Sequence, residues 1–159
     1  MVQRIGFGYD SHTFGATRPL ILGGVKIPHE TGLTGHSDGD AIAHAITDAL
    51  LGAAAMGDIG AIFPDTDPKW LGADSLKMLR EAVRRLDAGG YYVVNVDVTV
   101  ITEAPKIGPH AKEIRAKLAG VLGVGVDSVS VKGKTNEGMG PVGRREGLEV
   151  HAVASIAEA

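Results

Sequence analysis

The alternation of apolar and polar positions changes period several times along the chain. Arg4 to Tyr9 and Pro19 to Ile27 read as short strands separated by a glycine-containing turn. Gly35 to Asp40 is a polar, glycine-containing lead into a helix that runs to about Ala55. Its apolar stripe is Ile42, Ala45, Ile46, Ala49, Leu50 and Ala53, at helical spacing. His44 falls off that stripe, on the polar side with Asp40 and Asp48. Gly57 to Ala73 reads as a long loop with Pro64, Pro68 and three aspartates, yet it carries Ile59, Ile62, Phe63 and Trp70. Loops longer than about 12–15 residues are usually functional or disordered, and the apolar residues favour function here.

Asp74 is placed to cap a second helix with Leu76, Leu79, Val83 and Leu86 on one face, ended by Gly89 and Gly90. Tyr91 to Thr102 is the clearest strand. In it Tyr92, Val94, Val96, Val98 and Val100 alternate with Asn95, Asp97 and Thr99. A loop with Pro105 and Pro109 leads to a third helix through Ile114, Leu118 and Leu122. Ser128 to Lys132 and Leu148 to Ile156 read as strands flanking a glycine-rich loop, Gly133 to Gly147. No repeat or linker interrupts the pattern. The expectation is an α+β fold over residues 1–159 as a single domain, with a mixed, mostly antiparallel sheet and helices on one face.

Composition narrows the chemistry. The chain has 159 residues, 44% hydrophobic but only 4% aromatic, so its core must be built from Val, Ile, Leu and Ala. A net charge of −3 and the lack of a long Lys/Arg run argue against a nucleic-acid surface. With no cysteine, disulfides and thiolate metal sites are excluded, so any zinc must sit on His and carboxylate ligands. Met1 to Asp10 lacks a signal peptide's apolar run, and nothing reaches the roughly 20 apolar residues of a membrane span. The expected location is the cytosol.

Asp10 and His12 lie two apart at a strand end, so both side chains share a face. With His44 they would make two imidazoles and a carboxylate, leaving a fourth tetrahedral position for a substrate oxygen. Asp38 and Asp40 open the His44 helix. They suit its dipole, or act as carboxylates that orient a ligand histidine. Asp10, Asp38, Asp40, Asp58, Asp65 and Asp67 crowd one third of the chain. An acidic cleft would repel phosphate unless bound cations invert the local field.

The segments Arg4-Ile-Gly-Phe-Gly-Tyr-Asp-Ser-His12, His36-Ser-Asp-Gly-Asp-Ala-Ile-Ala-His44 and Gly57-Asp-Ile-Gly-Ala-Ile-Phe-Pro-Asp-Thr-Asp-Pro68 carry a resemblance. Ala104-Pro-Lys-Ile-Gly-Pro-His110 and Gly143-Arg-Arg-Glu-Gly147 continue it in order. Together they resemble the 2-C-methyl-D-erythritol 2,4-cyclodiphosphate synthase family over nearly the whole chain. That family converts 4-diphosphocytidyl-2-C-methyl-D-erythritol 2-phosphate to the cyclic diphosphate and releases CMP, in non-mevalonate isoprenoid biosynthesis.

The resemblance implies that Asp10, His12 and His44 bind Zn2+, and that Glu137 binds Mg2+ or Mn2+ through the substrate diphosphate. It implies His36 and Thr135 as the catalytic, transition-state-stabilising pair. Ser11, Ser37, Asp58, Ile59, Gly60, Phe63, Pro64, Asp65, Thr66 and Asp67 would meet the methylerythritol and phosphate parts, beside Asp10, His12 and His36. Thr102, Glu103, Ala104, Pro105, Lys106, Ile107 and Gly108 would form the cytidine pocket. Lys134, Asn136, Pro141 and Arg144 are counted with the substrate contacts. The implied partners are a cytidine diphosphate-linked small molecule and two further copies of the chain, in a homotrimer with sites between subunits.

Four residues depart from the family pattern: Lys134, Asn136, Pro141 and His151. Gly133-Lys-Thr-Asn-Glu137 stands where a run of threonines is common. Pro141 stands where an aromatic is frequent, and His151 where a carboxylate often occurs. His29 and His151 have no chemical context in the sequence. Two other classes use the same residues: a metal-dependent phosphate-ester hydrolase, and a non-enzymatic isoprenoid- or nucleotide-binding module with a structural ion.

Overall fold

The amino-terminal strand β1 runs from Gln3 to Ala16, well past the apolar segment that announces it. Its inner face is Gly6, Gly8, Asp10 and His12, while Ile5, Phe7 and Tyr9 point outward. The computed structural model describes residues 2–72 and 74–159, so Met1 and the last residue of the predicted 57–73 loop, Ala73, lie outside the described residues. Pro19 to Ile27 is not one strand but a hairpin of β2 (Leu20–Leu22) and β3 (Val25–Ile27). Gly23 and Gly24 turn it with φ of 60° and 74°, a backbone that two consecutive glycines adopt without cost. The two-residue edge strand β4 (Gly32–Leu33) follows, and it carries no sequence signal.

Helix α1 (Ala41–Ala53) starts and ends within about two residues of its apolar stripe. Asp40 caps it by accepting from the Ala43 N–H at 3.1 Å. The predicted 57–73 loop contains a short helix, α2 (Ile59–Ile62), capped by Asp58, and a 3-10 turn, Pro68–Trp70, capped by Asp67. Helix α3 (Ser75–Ala88) begins after Asp74 as expected. Strand β5 (Tyr91–Ile101) alternates, but not in one register. A bulge between Val93 and Asn95 turns Val93 as well as Val96, Val98 and Val100 into the core, and leaves Tyr92 outside. Helix α4 (Ala111–Leu122) ends on Gly123 in the left-handed region. Strand β6 (Val129–Lys134) runs two residues beyond its expected end. The 133–147 loop contains α5 (Gly140–Gly143), and β7 (Gly147–Glu158) closes the chain.

The main sheet has the order β4-β1-β7-β5-β6. All its pairings are antiparallel except β5 with β6, which α4 joins as a parallel crossover. Helices α1, α3 and α4 cover one face, so the α+β expectation of a mixed sheet with one-sided helices holds. Because aromatics are scarce, the elements pack closely. Leu148, Val150, Ala152, Ala154 and Ile156 of β7 are all at most 1% exposed beneath α1. The closest approach is between α1 and β1. A Cβ on Gly6 would sit 1.8 Å from the Ala49 carbonyl oxygen, and one on Gly8 1.8 Å from that of Ala45. Backbone therefore lies against backbone, bringing α1 down beside Asp10 and His12.

The other face of the sheet has no covering layer among the described residues. Ile5 is 75% exposed, Phe7 58% and Val153 44%, with Tyr9 beside them. His151, on the neighbouring strand, packs its ring against Tyr9 at 5.1 Å and Phe7 at 5.7 Å.

Candidate metal and substrate site

Three donor atoms meet where the inner face of β1 passes under α1. Asp10 Oδ2 lies 2.7 Å from His12 Nε2 and 3.1 Å from His44 Nδ1, and the three ligand atoms all lie within 4.8 Å of one another. Each imidazole is held from behind. His12 Nδ1 lies 2.6 Å from the Thr34 carbonyl oxygen, which can only accept, so Nδ1 carries a hydrogen and Nε2 faces Asp10. On His44 the roles of the nitrogens are reversed. Nε2 lies 2.8 Å from Ser75 Oγ and 3.0 Å from Ser37 Oγ, leaving Nδ1 toward Asp10. One imidazole nitrogen from each histidine and a carboxylate oxygen, without a thiolate, form a donor set suited to a borderline divalent ion. The outer hydrogen bonds are those that orient metal-ligating histidines.

Electrostatics agree with the geometry. Burial pushes the Asp10 carboxyl up, but hydrogen bonds and charge from His12 and His44 outweigh it and hold the group below its ordinary value. Burial pushes His12 down, and the Asp10 carboxylate outweighs that and raises it. These shifts favour an imidazolium–carboxylate pair of His12 and Asp10, whose proton a cation would displace.

The acidic cleft expected from the sequence is smaller than the count of aspartates suggests. Asp40 is wholly buried and does not orient His44. Its carboxylate accepts from the Gly23 and Gly24 N–H groups at 2.8 and 2.7 Å, in addition to capping α1. Burial pushes its carboxyl up to about 6 against the pull of those N–H donors. Asp38 turns toward α3, accepting from the Ser75 N–H at 3.1 Å and from its hydroxyl. Asp58 is exposed at the start of α2, and its side chain accepts from Ala61 at 2.9 Å. Asp65 is exposed, and Asp67 caps the 3-10 turn.

A cavity of about 200 Å³ opens from the donor atoms. His12, His36, Ser37 and His44 form one wall, and Ile59, Gly60, Phe63, Asp65 and Trp70 the other. Phe63 is buried, its ring edge-on to Trp70 at 4.6 Å, so it fixes the wall. Pro64 and Thr66 fall in the same segment. Ser11 and Pro141 lie together in an adjoining cavity of about 240 Å³ that also reaches His12.

The predicted cytidine segment lies elsewhere. Thr102, Glu103, Pro105, Lys106, Ile107 and Gly108 line a cavity of about 310 Å³ together with Lys134 and Thr135. It shares no lining residue with the 200 Å³ cavity. Its floor is secured by backbone. The Thr102 N–H donates to the Lys134 carbonyl at 2.9 Å, and the Thr102 hydroxyl donates to the Ala104 carbonyl at 2.6 Å. Glu103 braces the facing loop by accepting from the Asn136 N–H at 2.6 Å and the Gly138 N–H at 3.1 Å. Gly133 is required here, because a Cβ would meet Ile107 Cβ at 2.9 Å. Glu137 is exposed with φ of 53°, and is not part of the His and carboxylate cluster found among the described residues. Arg144 is exposed, donates to Glu146 at 2.6 Å, and lines neither cavity.

Some contributors to the site escaped the sequence. Thr34 acts through its carbonyl, which leaves no side-chain signal. Ser75 looked like an ordinary first residue of a helix. Asp48, one turn beyond His44, accepts from the Ile59 N–H at 2.7 Å and so ties α2 to α1. Burial, with the nearby Asp58 and Asp10 charges, raises its carboxyl.

Comparison with known proteins agrees along the whole chain. The YgbB family model matches residues 3–157. A Gemmatimonas aurantiaca protein named 2-C-methyl-D-erythritol 2,4-cyclodiphosphate synthase is 60% identical over 98% of this chain and 94% of its own length. A solved structure of a synthase of that name in its CDP-bound form is 41% identical, with a TM-score of 0.89 over 97% of this chain and 100% of its own. A Plasmodium falciparum relative solved as a CDP complex is 37% identical, with a TM-score of 0.86 over 98% of this chain and 96% of its own.

Proposed function

The chain belongs to the YgbB family of 2-C-methyl-D-erythritol 2,4-cyclodiphosphate synthases, and from this we propose the reaction it performs. It cyclises 4-diphosphocytidyl-2-C-methyl-D-erythritol 2-phosphate to 2-C-methyl-D-erythritol 2,4-cyclodiphosphate with release of CMP, in non-mevalonate isoprenoid precursor biosynthesis. It is thus a CMP-releasing phosphorus–oxygen lyase. The observation that carries this reading is the convergence of Asp10, His12 and His44 on one point beside a small cavity.

In this reading residues 1–159 are one synthase domain. Asp10, His12 and His44 would hold Zn2+, and Glu137 would hold Mg2+ or Mn2+ together with the substrate. Bound there, the ions supply charge neutralisation for the attacking and leaving oxygens. The protein's own task is positioning, because an internal phosphoryl transfer needs alignment more than a strong base. The 2-phosphate oxygen attacks the β-phosphorus, and the bond from that phosphorus to CMP breaks. His36 and Thr135 donate to the oxygens on which charge gathers. The wall from Asp58 to Asp67, with Ser37, grips the methylerythritol hydroxyls and phosphate. The backbone-lined cavity from Thr102 to Gly108, with Lys134 and Thr135, takes the cytidine. Holding both ends of one substrate in line supplies about 7–11 kcal/mol of the barrier.

Two cavities without a common residue fit a homotrimer in which one chain's metal cavity faces a neighbour's cytidine cavity. The uncovered apolar sheet face around Ile5, Phe7 and Val153 supplies a surface for such association. Among the described residues no helix is long and apolar enough to cross a membrane. The cytosol is the place of work in this reading, with neither nucleic acid nor membrane as partner.

The test is CMP release from the cytidylyl substrate by the metal-loaded protein, with the cyclic diphosphate identified by mass. In oxygen-18 water the product stays unlabelled if the substrate's own phosphate attacks. Incorporated label would mark a hydrolase instead. Retained turnover in His44→Ala would remove the metal site from the reading.

A further inference from the structure

His44 differs from His12 in what holds it. His12 leans on a backbone carbonyl, a fixed acceptor. His44 leans on hydroxyls, which can donate or accept, so the hydroxyls alone leave open which ring nitrogen is bare. The answer lies one residue further back. Ser75 Oγ, wholly buried, also bonds Asp38 Oδ1, and Asp38 Oδ2 receives the Ser75 N–H at 3.1 Å. Asp38 Oδ1 further receives the Asp40 N–H at 3.0 Å. An ionised carboxylate only accepts, so the single hydroxyl hydrogen of Ser75 is spent on Asp38. Ser75 Oγ can then only accept from His44 Nε2, 2.8 Å away. The hydrogen of a neutral His44 is thereby held on Nε2, which leaves Nδ1, 3.1 Å from Asp10 Oδ2, as the nitrogen that a cation would take.

We propose that Ser75, polarised by Asp38, is the positioning residue that fixes His44 in the tautomer able to ligate a metal through Nδ1. Three elements meet in this relay: the turn before α1, α1 itself and the first residue of α3. Ser75 opens α3, whose Met78 lines the 200 Å³ cavity, so the ligand is held by an element that also walls that cavity. The proposal rests on the reading of Asp10, His12 and His44 as a zinc site.

Two near-isosteric changes test it. Asp38→Asn places an amide where the carboxylate was. Its N–H can donate to Ser75 Oγ, which frees the hydroxyl hydrogen for His44 Nε2 and reverses the chain. Ser75→Ala removes the relay. Zinc affinity of the full chain is measured by competition with a chromophoric chelator, alongside ring-nitrogen NMR of the wild-type protein. Loss of a histidine's outer partner weakens metal binding about 10–100-fold, and that loss is expected in both variants. In the zinc-loaded wild type, His44 should show a slowly exchanging Nε2–H. Affinities within about twofold of wild type in variants that keep their fold overturn the relay. A His44 hydrogen on Nδ1, or a freely exchanging Nε2–H, overturns it without any variant. If the wild type itself binds no zinc, or if His44→Ala binds it equally well, the metal reading fails first and the relay falls with it.

Discussion

The metal cavity and the 102–135 cavity are built on opposite plans. In the metal cavity the functional atoms are side-chain atoms, and each is held by a partner far away in sequence: His12 by Thr34, His44 by Ser37 and Ser75. In the 102–135 cavity much of the polar framework is backbone, and the charged residue Glu103 braces a loop. The first plan suits an ion, whose ligands must be placed to a fraction of an ångström. The second suits a planar, hydrogen-bonding ligand that is read by carbonyls and N–H groups along a loop. In the proposed reading the Asp10, His12 and His44 ion and the nucleotide are held in separate cavities, so a mutation should injure one kind of binding without the other.

The sharpest way to break that division is His44→Ala. CMP release should fall by about 10³-fold or more, while CDP affinity, measured by calorimetry, stays unchanged. Loss of both would mean that the cavities are not independent. Gly8→Ala attacks the metal cavity through the backbone. The added methyl runs into the Ala45 carbonyl, so α1 must move off β1 and carry His44 from Asp10. Overpacking of this kind costs about 1–3 kcal/mol or more, and zinc affinity should drop together with the unfolding midpoint. Gly133→Ala is its counterpart in the other cavity. It crowds Ile107, and should raise KM for the cytidylyl substrate about tenfold with zinc affinity intact.

Glu103→Gln keeps the side chain's shape but weakens two charge-assisted hydrogen bonds to the 136–138 loop, and a several-fold loss of CDP affinity is expected. The smallest effect is on pH dependence of the metal-free chain. Asp10, held low, contributes stability above 3.8 that is lost as pH falls through its depressed value. His12, held high, contributes below 6.5, and that part is lost as pH rises through its raised value. Both contributions are present between those limits, so the metal-free melting temperature should decline from pH 6 toward pH 9 by about a few degrees. Zinc should abolish that decline, since the ion takes the proton's place.

What the sequence made legible follows the same division. The shared face of Asp10 and His12 came from period two, and the place of His44 from its position off an apolar stripe. Both survive because regular elements carry them. Two readings stood open for Asp40, because an aspartate before a helix looks alike whether it serves the helix or a ligand histidine; the structure has it cap α1 and hold a buried glycine turn. The hairpin at 20–27 was read as one strand because only the positive φ of Gly23 and Gly24 divides it. The bulge at Val93–Asn95 hid which valines face the core. The relay through Ser75 was invisible, since a serine opening a helix is ordinary until Asp38, 37 residues earlier, lies against it. Of the departures, Pro141 lines the cavity that reaches His12, and His151 lies away from the donor atoms. Pro141 starts a short helix, and His151 packs among aromatics on the far face of the sheet.

The separation of the two cavities has a genetic meaning. If each working site pairs one chain's metal cavity with its neighbour's nucleotide cavity, two inactive proteins can heal each other. A chain crippled at His44 and a chain whose 102–135 cavity is blocked outright, by a larger change than Gly133→Ala, each lack one half of every site. Unfolded together, mixed in equal amounts and allowed to reassemble, they would restore about a quarter of the sites by chance pairing alone. Neither parent would supply that activity on its own, and a site closed within a single chain could never recover it.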